Sequence, residues 1–434
     1  MKKILLFGAG KSSGVLIDYL LKNAVKGNWR LTVADAAYEQ ILQKTNNHPR
    51  SRALAMNITE EIIRYGEIEQ SDVVISMLPP ALHILVAKDC VEAGKHLLTA
   101  SYVDDELKKL GEEAKKKNIL LLCEMGLDPG IDHMSALSLL HEIVHSGGTI
   151  TSFKSHCGGL VAPESDNNPW HYKISWNPRN IVLAGKAGAH YYENGEDVKI
   201  PYEQLFNQGK EVNVPGMGNL SYYPNRDSTS YRMLYNLPEV KTFIRTTLRH
   251  PDFMKAWNEV IALGLTNEEM QLSTHQETVY SFVKKFLNLT GKDEHEFSEE
   301  LYPMLSWLGM FDNQRQLDTG VKTAAEILQS VMERKLALNP GDKDMIVMMH
   351  EAEYTIDGKH KKAISSLVVR GQDNVHTAMA KTVGLPLAIA AELLLENKIS
   401  LSGVCVPVLP EIYKPVLARL RECGIIFHET IIDN

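Results

Sequence analysis

Short apolar runs alternate with segments of helical period from residue 3 to residue 123, and that rhythm constrains the fold more than any other feature of the chain. Runs at 3–7, 29–34, 53–56, 72–77, 96–99 and 119–123 have strand length. Segments at 15–23, 82–93 and 105–117 carry helical periodicity between them. Strands separated by helices at this spacing require right-handed βαβ crossovers, which predicts an α/β, doubly wound parallel sheet.

The chain has 434 residues, too many for one ordinary domain, so two or three are expected. With 44% hydrophobic and 23% charged residues it has ample material for a core. A formal charge of −8 argues against a nucleic-acid surface. The five cysteines are scattered without a CxxC pair, which fits a reducing compartment. The first apolar run is too short for a signal peptide and no uninterrupted apolar stretch has membrane length, so a cytoplasmic protein without membrane contact is expected. No HExxH and no paired His/Cys spacing occurs among the 16 histidines, so no metal is expected.

The first strand runs into Gly8-Ala9-Gly10-Lys11. Gly8 permits a tight turn, and Gly10 lets backbone N–H groups approach a pyrophosphate at the following helix N-terminus. Ser13 stands where the dinucleotide fingerprint has Gly or Ala, and is small enough for close packing. Asp35 closes the second strand. Its carboxylate can accept hydrogen bonds from both ribose hydroxyls of NAD and would repel the 2′-phosphate of NADP, so NAD is the expected cofactor. A helix-capping role is the other reading of Asp35. NADP stays open as well, through Arg30, Arg52 or Lys11.

Two glycines, a proline, three carboxylates and a histidine crowd into 124–133, Glu-Met-Gly-Leu-Asp-Pro-Gly-Ile-Asp-His, directly after the strand at 119–123. A parallel sheet places this loop and the glycine loop on the same edge, where open α/β sheets bind ligands.

The succession Ile75-Ser76-Met77-Leu78-Pro79, Thr99-Ala100-Ser101-Tyr102-Val103, Gly126-Leu127-Asp128-Pro129-Gly130, Cys157-Gly158-Gly159-Leu160, Tyr223-Pro224-Asn225-Arg226-Asp227-Ser228 and Thr247-Leu248-Arg249 closely resembles the saccharopine reductase family, over nearly the whole chain. The resemblance implies a Rossmann-type dinucleotide domain (1–130 with 385–434), a mixed-sheet α/β substrate and dimerisation domain (131–250 with 341–384), and a small helical lobe (251–340). It implies a hinge of two chain crossings that lets a cleft close, a homodimer, and helical segments at 264–274 and 323–338. A hairpin of 345–354 and 362–369 would rejoin the second sheet, and the helix at 376–395 would be interrupted at Gly384-Leu385-Pro386.

The implied chemistry is interconversion of saccharopine with glutamate and 2-aminoadipate 6-semialdehyde by hydride transfer between a nicotinamide and a C–N carbon. Cofactor contacts fall on Gly8, Ala9, Gly10, Lys11, Asp35, Leu78, Pro79, Ala100, Ser101, Leu127, Asp128, Pro129 and Ser175. Substrate contacts fall on Ser101, Tyr102, Asp128, Arg226, Thr247, Leu248 and Arg249, because three substrate carboxylates call for fixed, bidentate cations. Asp128 and Tyr102 are the implied catalytic pair. Cys157 reads as packing rather than a nucleophile, which hydride transfer to an imine does not need. His133 is open between general base and helix-start partner. A reductase of another imine, such as carboxynorspermidine dehydrogenase, is the rival enzyme, and an idle dinucleotide-binding protein the rival of another class.

Overall fold

The computed structural model describes residues 1–433. Six strands, β1 (Lys2–Phe7), β2 (Trp29–Asp35), β3 (Ser51–Ala55), β4 (Val73–Ser76), β5 (His96–Thr99) and β6 (Leu120–Leu122), join the later strand Gly403–Cys405 in one seven-stranded sheet. Its order is Gly403–Cys405, β6, β5, β4, β1, β2, β3. Every neighbouring pair is parallel. The strands read as unbroken apolar runs because both faces are covered: Ile4 to Phe7, Val73 to Ile75 and Leu120 to Leu122 are all buried. The chain moves outward from β1 to β3 and then returns to the other side of β1 at β4. That reversal opens a crevice at the carboxyl ends of β1 and β4, which fixes where a ligand can bind.

The helices α1 (Gly14–Asn23), α2 (Tyr38–Thr45), α3 (Glu61–Glu69) and α4 (His83–Ala93) make the crossovers. The segment expected as one helix over 105–117 divides into Asp105–Lys109 and Gly111–Lys116. The helix Ala378–Leu395 runs through Pro386 without a break. Gly384 is there for contact: a Cβ on it would stand 3.1 Å from the Leu16 backbone nitrogen and 3.2 Å from the Ser12 carbonyl oxygen. Among the described residues this is the one helix long and apolar enough to cross a membrane, where the sequence predicted an interruption at Gly384-Leu385-Pro386, and 83% of that span is buried. It is therefore the core helix of its unit.

Contacts divide the chain into Met1–Thr149 with Val369–Thr430, and Ile150–Val368 with the chain end from Ile431. The first unit keeps the helix Ile131–His145, where the sequence suggested a boundary at 130/131. It also keeps the whole of Ala378–Leu395, so a boundary at 384/385 would cut a continuous helix.

The second unit is built on a ten-stranded mixed sheet in which β7 (Thr149–Val161) lies between Thr242–Arg249 and Asp344–Ile356. Thr242–Arg249 runs parallel to β7 and antiparallel to Gly218–Pro224. Asp344–Ile356 and Lys359–Arg370 neighbour each other through a turn in which Asp357 and Gly358 have φ of 51° and 72°. Positive φ at both central residues is the demand of a two-residue hairpin, which Asp-Gly meets. The helices Pro251–Ala262, Val279–Leu289, Leu301–Leu308 and Ala324–Lys335 share one core with Trp170, Tyr172, Ile244 and Tyr223 of the same unit, so they do not form a lobe with a core of its own. The helix predicted at 264–274 is absent. Gly264, at φ 75°, follows the end of Pro251–Ala262 and turns the chain into a short strand, Leu272–Ser273, paired with Val321–Lys322.

Within this sheet Glu351 holds both His156, at 3.2 Å, and Lys362. Burial alone would raise its pKa, but the hydrogen bonds and charges of His156 and Lys362 bring it down to about 2. A carboxyl depressed in the fold stabilises fully above its unfolded pKa and loses that contribution as pH falls through the folded value. Acid unfolding of the wild type should steepen between about pH 4.5 and about 2. Glu351→Gln should be less stable at neutral pH and flatter in that window, as read by denaturant unfolding at a series of pH values.

Candidate active site

The glycine loop is shaped by contacts that leave little freedom. Gly8 has φ 100°, and a Cβ there would come 2.8 Å from the Met77 carbonyl oxygen at the end of β4. Only glycine fits the turn. A Cβ on Gly10 would meet nothing within 4 Å, so open space lies in front of the loop, as an incoming pyrophosphate requires. The Asp35 carboxylate accepts the Ala9 N–H at 2.7 Å through one oxygen and the Ala37 N–H at 2.9 Å through the other. The side chain thus caps no helix: Ala37 occupies the N-cap position of α2 without a side-chain hydrogen bond. Lys44, on α2, donates to the Gly10 carbonyl and to the Ser13 hydroxyl, the latter at 3.1 Å. It is the cation closest to the loop that sequence reading missed. Its signal was weak, because helical spacing brings it back to the loop only once α2 is known to start at Tyr38. Of the other cations considered for a phosphate, Arg52 is committed to Glu67, while Lys11 and Arg30 are exposed.

Three further loops leave the same edge after β4, β5 and β6. Leu78 is half-buried and Pro79 exposed after β4; Ala100, Ser101 and Tyr102 are half-buried after β5. His83, at the start of α4, is buried and bridges two of these ends: its Nδ1 lies 2.8 Å from Ser76 Oγ and its Nε2 lies 2.7 Å from Ser101 Oγ. Burial pushes the imidazole down to about 4 against the opposing pull of Asp104, so it is neutral at physiological pH. His83 is a second residue the sequence reading passed over, having no motif around it.

The loop after β6 is coiled on itself. Gly126 N–H donates to the Pro129 carbonyl at 3.0 Å, Ile131 N–H to the Gly126 carbonyl at 2.9 Å, and Gly130 N–H to Asp132 Oδ1 at 2.6 Å. The Asp128–Pro129 peptide is cis. Met125 and Glu124 donate their N–H groups to the Thr99 and Ser101 carbonyls, each at 3.0 Å, which fastens this loop to the one after β5. Glu124 accepts the Val103 N–H at 3.2 Å with one oxygen and contacts His133 Nε2 at 2.9 Å with the other. Both side chains are buried, so His133 is an architectural partner of Glu124 at the helix start. From Leu121 to Leu137 only Asp128 is not fully buried. Of the crowded carboxylates, it is the one that keeps some solvent exposure.

In the second unit Thr247, Leu248 and Arg249 lie on the strand Thr242–Arg249, and Arg226 on the two-residue strand Arg226–Asp227. Arg249 is buried, stacks 5.4 Å from the Tyr172 ring and 5.7 Å from the Phe253 ring, and donates to the Leu248 carbonyl at 2.8 Å. Thr247 is half-buried and registers with Cys157 on β7, while Leu248 is buried. Alternation puts Arg245, Thr247 and Arg249 on one face of their strand. Arg245, also missed in the sequence, lies 4.4 Å over the Tyr231 ring. Arg226 differs: it is exposed, in a two-residue strand paired with Ala189, at φ 52°. Ser175 is buried next to Lys173, which is itself bound to Asp342 at 2.6 Å.

A family profile described as the saccharopine dehydrogenase C-terminal domain matches residues 126–425, and one described as the saccharopine dehydrogenase NADP binding domain matches 4–122. The chain belongs to the saccharopine dehydrogenase family. It is 32% identical to saccharopine dehydrogenase [NADP(+), L-glutamate-forming] of Schizosaccharomyces pombe, covering 100% of both chains. It is 34% identical to the mitochondrial alpha-aminoadipic semialdehyde synthase of Rattus norvegicus over 98% of its own length, but spans only 47% of that protein. The apo structure of the L-Glu-forming saccharopine dehydrogenase from Saccharomyces cerevisiae matches with a TM-score of 0.89 and 29% identity, 100% of each chain being covered.

These findings overturn the NAD preference drawn from Asp35, since the matched nucleotide domain is of the NADP-binding kind and the fungal relatives are named for NADP(+). The physical reason is in the hydrogen bonds. Asp35 already spends one oxygen on the Ala9 N–H of the loop and the other on the Ala37 N–H beyond β2, and Lys44 adds a positive charge that the sequence argument had not placed there.

The lowered pKa of His83 has a direct test. Its imidazole should stay neutral down to about pH 4, followed by the ring proton and nitrogen shifts in NMR, with fold stability declining as pH drops from about 6.5 toward that value. Ser101→Ala, which removes one partner, should change the tautomer signature without unfolding the chain.

Proposed function

We propose that the protein is an NADP-dependent, L-glutamate-forming saccharopine dehydrogenase. The observation that carries this reading is a full-length match to a solved enzyme of that type, with no part of either chain left over. A bound nicotinamide cofactor would accept hydride from saccharopine, or supply it in the opposite direction.

The residues of the chain do the rest. Gly8, Ala9, Gly10 and Lys11 form a loop open enough for the pyrophosphate, and Lys44 and Lys11 would hold the 2′-phosphate that distinguishes NADP. Leu78, Pro79, Ala100, Leu127, Pro129 and Ser175 would wall the nicotinamide and keep water away from the reacting carbon. Arg226 and Arg249 would pair with substrate carboxylates, together with Thr247 and Leu248 at the strand end. The Arg249 guanidinium, packed against the rings of Tyr172 and Phe253, is restricted before substrate arrives, which reduces the ordering cost of binding. Ser101 and Tyr102 would hydrogen-bond the amino-acid end of the substrate, with Ser101 oriented by neutral His83. Asp128, the accessible carboxylate of its loop, would orient the substrate amine and take up its proton. An arginine-lined strand suits a diacid better than the diamine of a carboxynorspermidine-type reaction. A homodimer in the cytoplasm completes the proposal; scattered cysteines support that compartment.

Purified protein given saccharopine with NADP, and separately with NAD, tests the whole reading: glutamate and the semialdehyde should form with a higher kcat/KM for NADP. Production of neither would overturn it.

Two variants test the parts. Lys44→Ala should weaken 2′,5′-ADP by about tenfold or more, the worth of a charge-assisted contact, while leaving 5′-AMP nearly unchanged in calorimetry. Equal loss for both nucleotides would assign Lys44 to loop shape alone. Asp128→Asn should lower kcat and flatten the pH profile of kcat/KM while affinity for 2′,5′-ADP persists, because the loss falls on proton handling.

A further inference from the structure

His171, His250 and Asp252 are brought together by the second unit from two separate segments. One ligand atom from each lies within 4.8 Å of the others, and among the described residues this is the one His/Cys/Asp/Glu trio so placed. The Asp252 Oδ2 stands 3.6 Å from His171 Nε2 and 3.6 Å from His250 Nδ1. The two imidazole rings stack with centroids 3.9 Å apart.

The protonation pattern suits a cation. His171 Nδ1 lies 2.7 Å from Asp166 Oδ2, so the neutral ring carries its proton there and turns the Nε2 lone pair toward Asp252. A carboxylate bound to the far nitrogen of a ligating histidine is the usual outer partner of a metal-bound imidazole. His250 Nδ1 is unprotonated and accepts the Asp252 N–H at 3.3 Å, so an ion would take over that lone pair in place of the helix-capping hydrogen bond. The site sits at the start of the helix Pro251–Ala262, whose N-terminus carries a partial charge of about +0.5. Two carboxylates outweigh it.

We infer that His171, His250 and Asp252 form a binding site for a divalent transition ion of the zinc class, with Asp166 as the outer partner of His171. Zinc takes imidazole nitrogen and carboxylate oxygen at about 2.0–2.2 Å, so tetrahedral donors stand roughly 3.3 Å apart. Two of the separations are 3.6 Å, so binding would draw Asp252 toward each imidazole and splay the stacked rings apart. Three protein donors would leave a position for water. His171 is held at φ 48°, a conformation few non-glycine residues adopt, and it immediately precedes Tyr172, while Asp252 precedes Phe253. Those two rings wall Arg249, so an ion here would tie together the two segments that hold that guanidinium.

Calorimetry of the full chain with Zn2+ in a non-chelating buffer tests the site. His171→Asn and His250→Asn are suitable variants, because asparagine tolerates the left-handed backbone at 171 and can keep the helix cap at 250. The wild type should bind one ion and gain thermal stability from it, and the double variant should lose both effects. Asp166→Asn should weaken binding by roughly tenfold to a hundredfold, as outer partners do. Zinc binding that is absent in the wild type, or unchanged in the double variant, would overturn the assignment. If the double variant does not fold, the exposed and isosteric Asp252→Asn gives the same reading.

Discussion

The carboxylate of Asp35 holds the loop on which nucleotide binding depends. It draws the Ala9 N–H and the Ala37 N–H onto one side chain, so the turn after β1 and the exit from β2 share one anchor. Gly8 meets the end of β4 from the other side. With three strand ends fastened in this way, the backbone in front of Gly10 has a fixed shape before any ligand arrives. Preorganised N–H groups then meet a pyrophosphate without a further ordering cost. A carboxylate engaged like this contributes less repulsion to a 2′-phosphate than a free one would, because two N–H dipoles partly offset its charge. Lys44 supplies the opposite sign from α2.

The parallel sheet was legible because burial on both faces leaves a strong trace: runs such as Ile4 to Phe7 and Val73 to Ile75 have no polar alternation to confuse them. The Asp357-Gly358 turn was legible for a different reason, since few residues accept two successive positive φ values. Gly264–Thr274 failed because its residues also suit a helix, and only the φ of Gly264 and the pairing of Leu272 with Lys322 turn the chain aside. The interruption read at Gly384 to Pro386 failed because a glycine needed for close helix contact looks the same in sequence as a glycine that ends a helix. Cofactor preference failed at Asp35 because sequence gives the type of a side chain but not the groups it already serves.

The arginines show the same limit from the other direction. Arg226 and Arg249 were picked out by their motifs, and their surroundings turn out to be opposite, one exposed and one buried beside two aromatic rings. Arg245 lies on the same strand face as Arg249 and had no motif to mark it. A buried guanidinium against an aromatic wall keeps few rotamers, so its fork is aimed in advance; an exposed one must be ordered by the substrate it meets. If both serve as proposed, Arg249 would contribute mainly to affinity through prior restriction. Arg226 would contribute mainly through capture.

Several buried charged or hydrogen-bonding groups in this chain serve each other. Glu124 has His133, Arg64 has Asp89 at 2.7 Å, Lys173 has Asp342, and Glu351 has His156 and Lys362. Breaking one partner of such a pair costs about 3–5 kcal/mol, since the other is left desolvated and alone. These groups are therefore poor candidates for proton transfer in a catalytic cycle, however suggestive their residue types. In the loop after β6 exposure separates three carboxylates that look equivalent in sequence. Glu124 is tied to Val103 and His133, and Asp132 accepts the Gly130 N–H. Asp128 alone keeps a partly open side chain on a backbone that the other two make rigid. A carboxylate that is accessible and yet carried on a fixed frame can meet a substrate amine without reorganising its surroundings, which is the property that proton transfer asks of a general base.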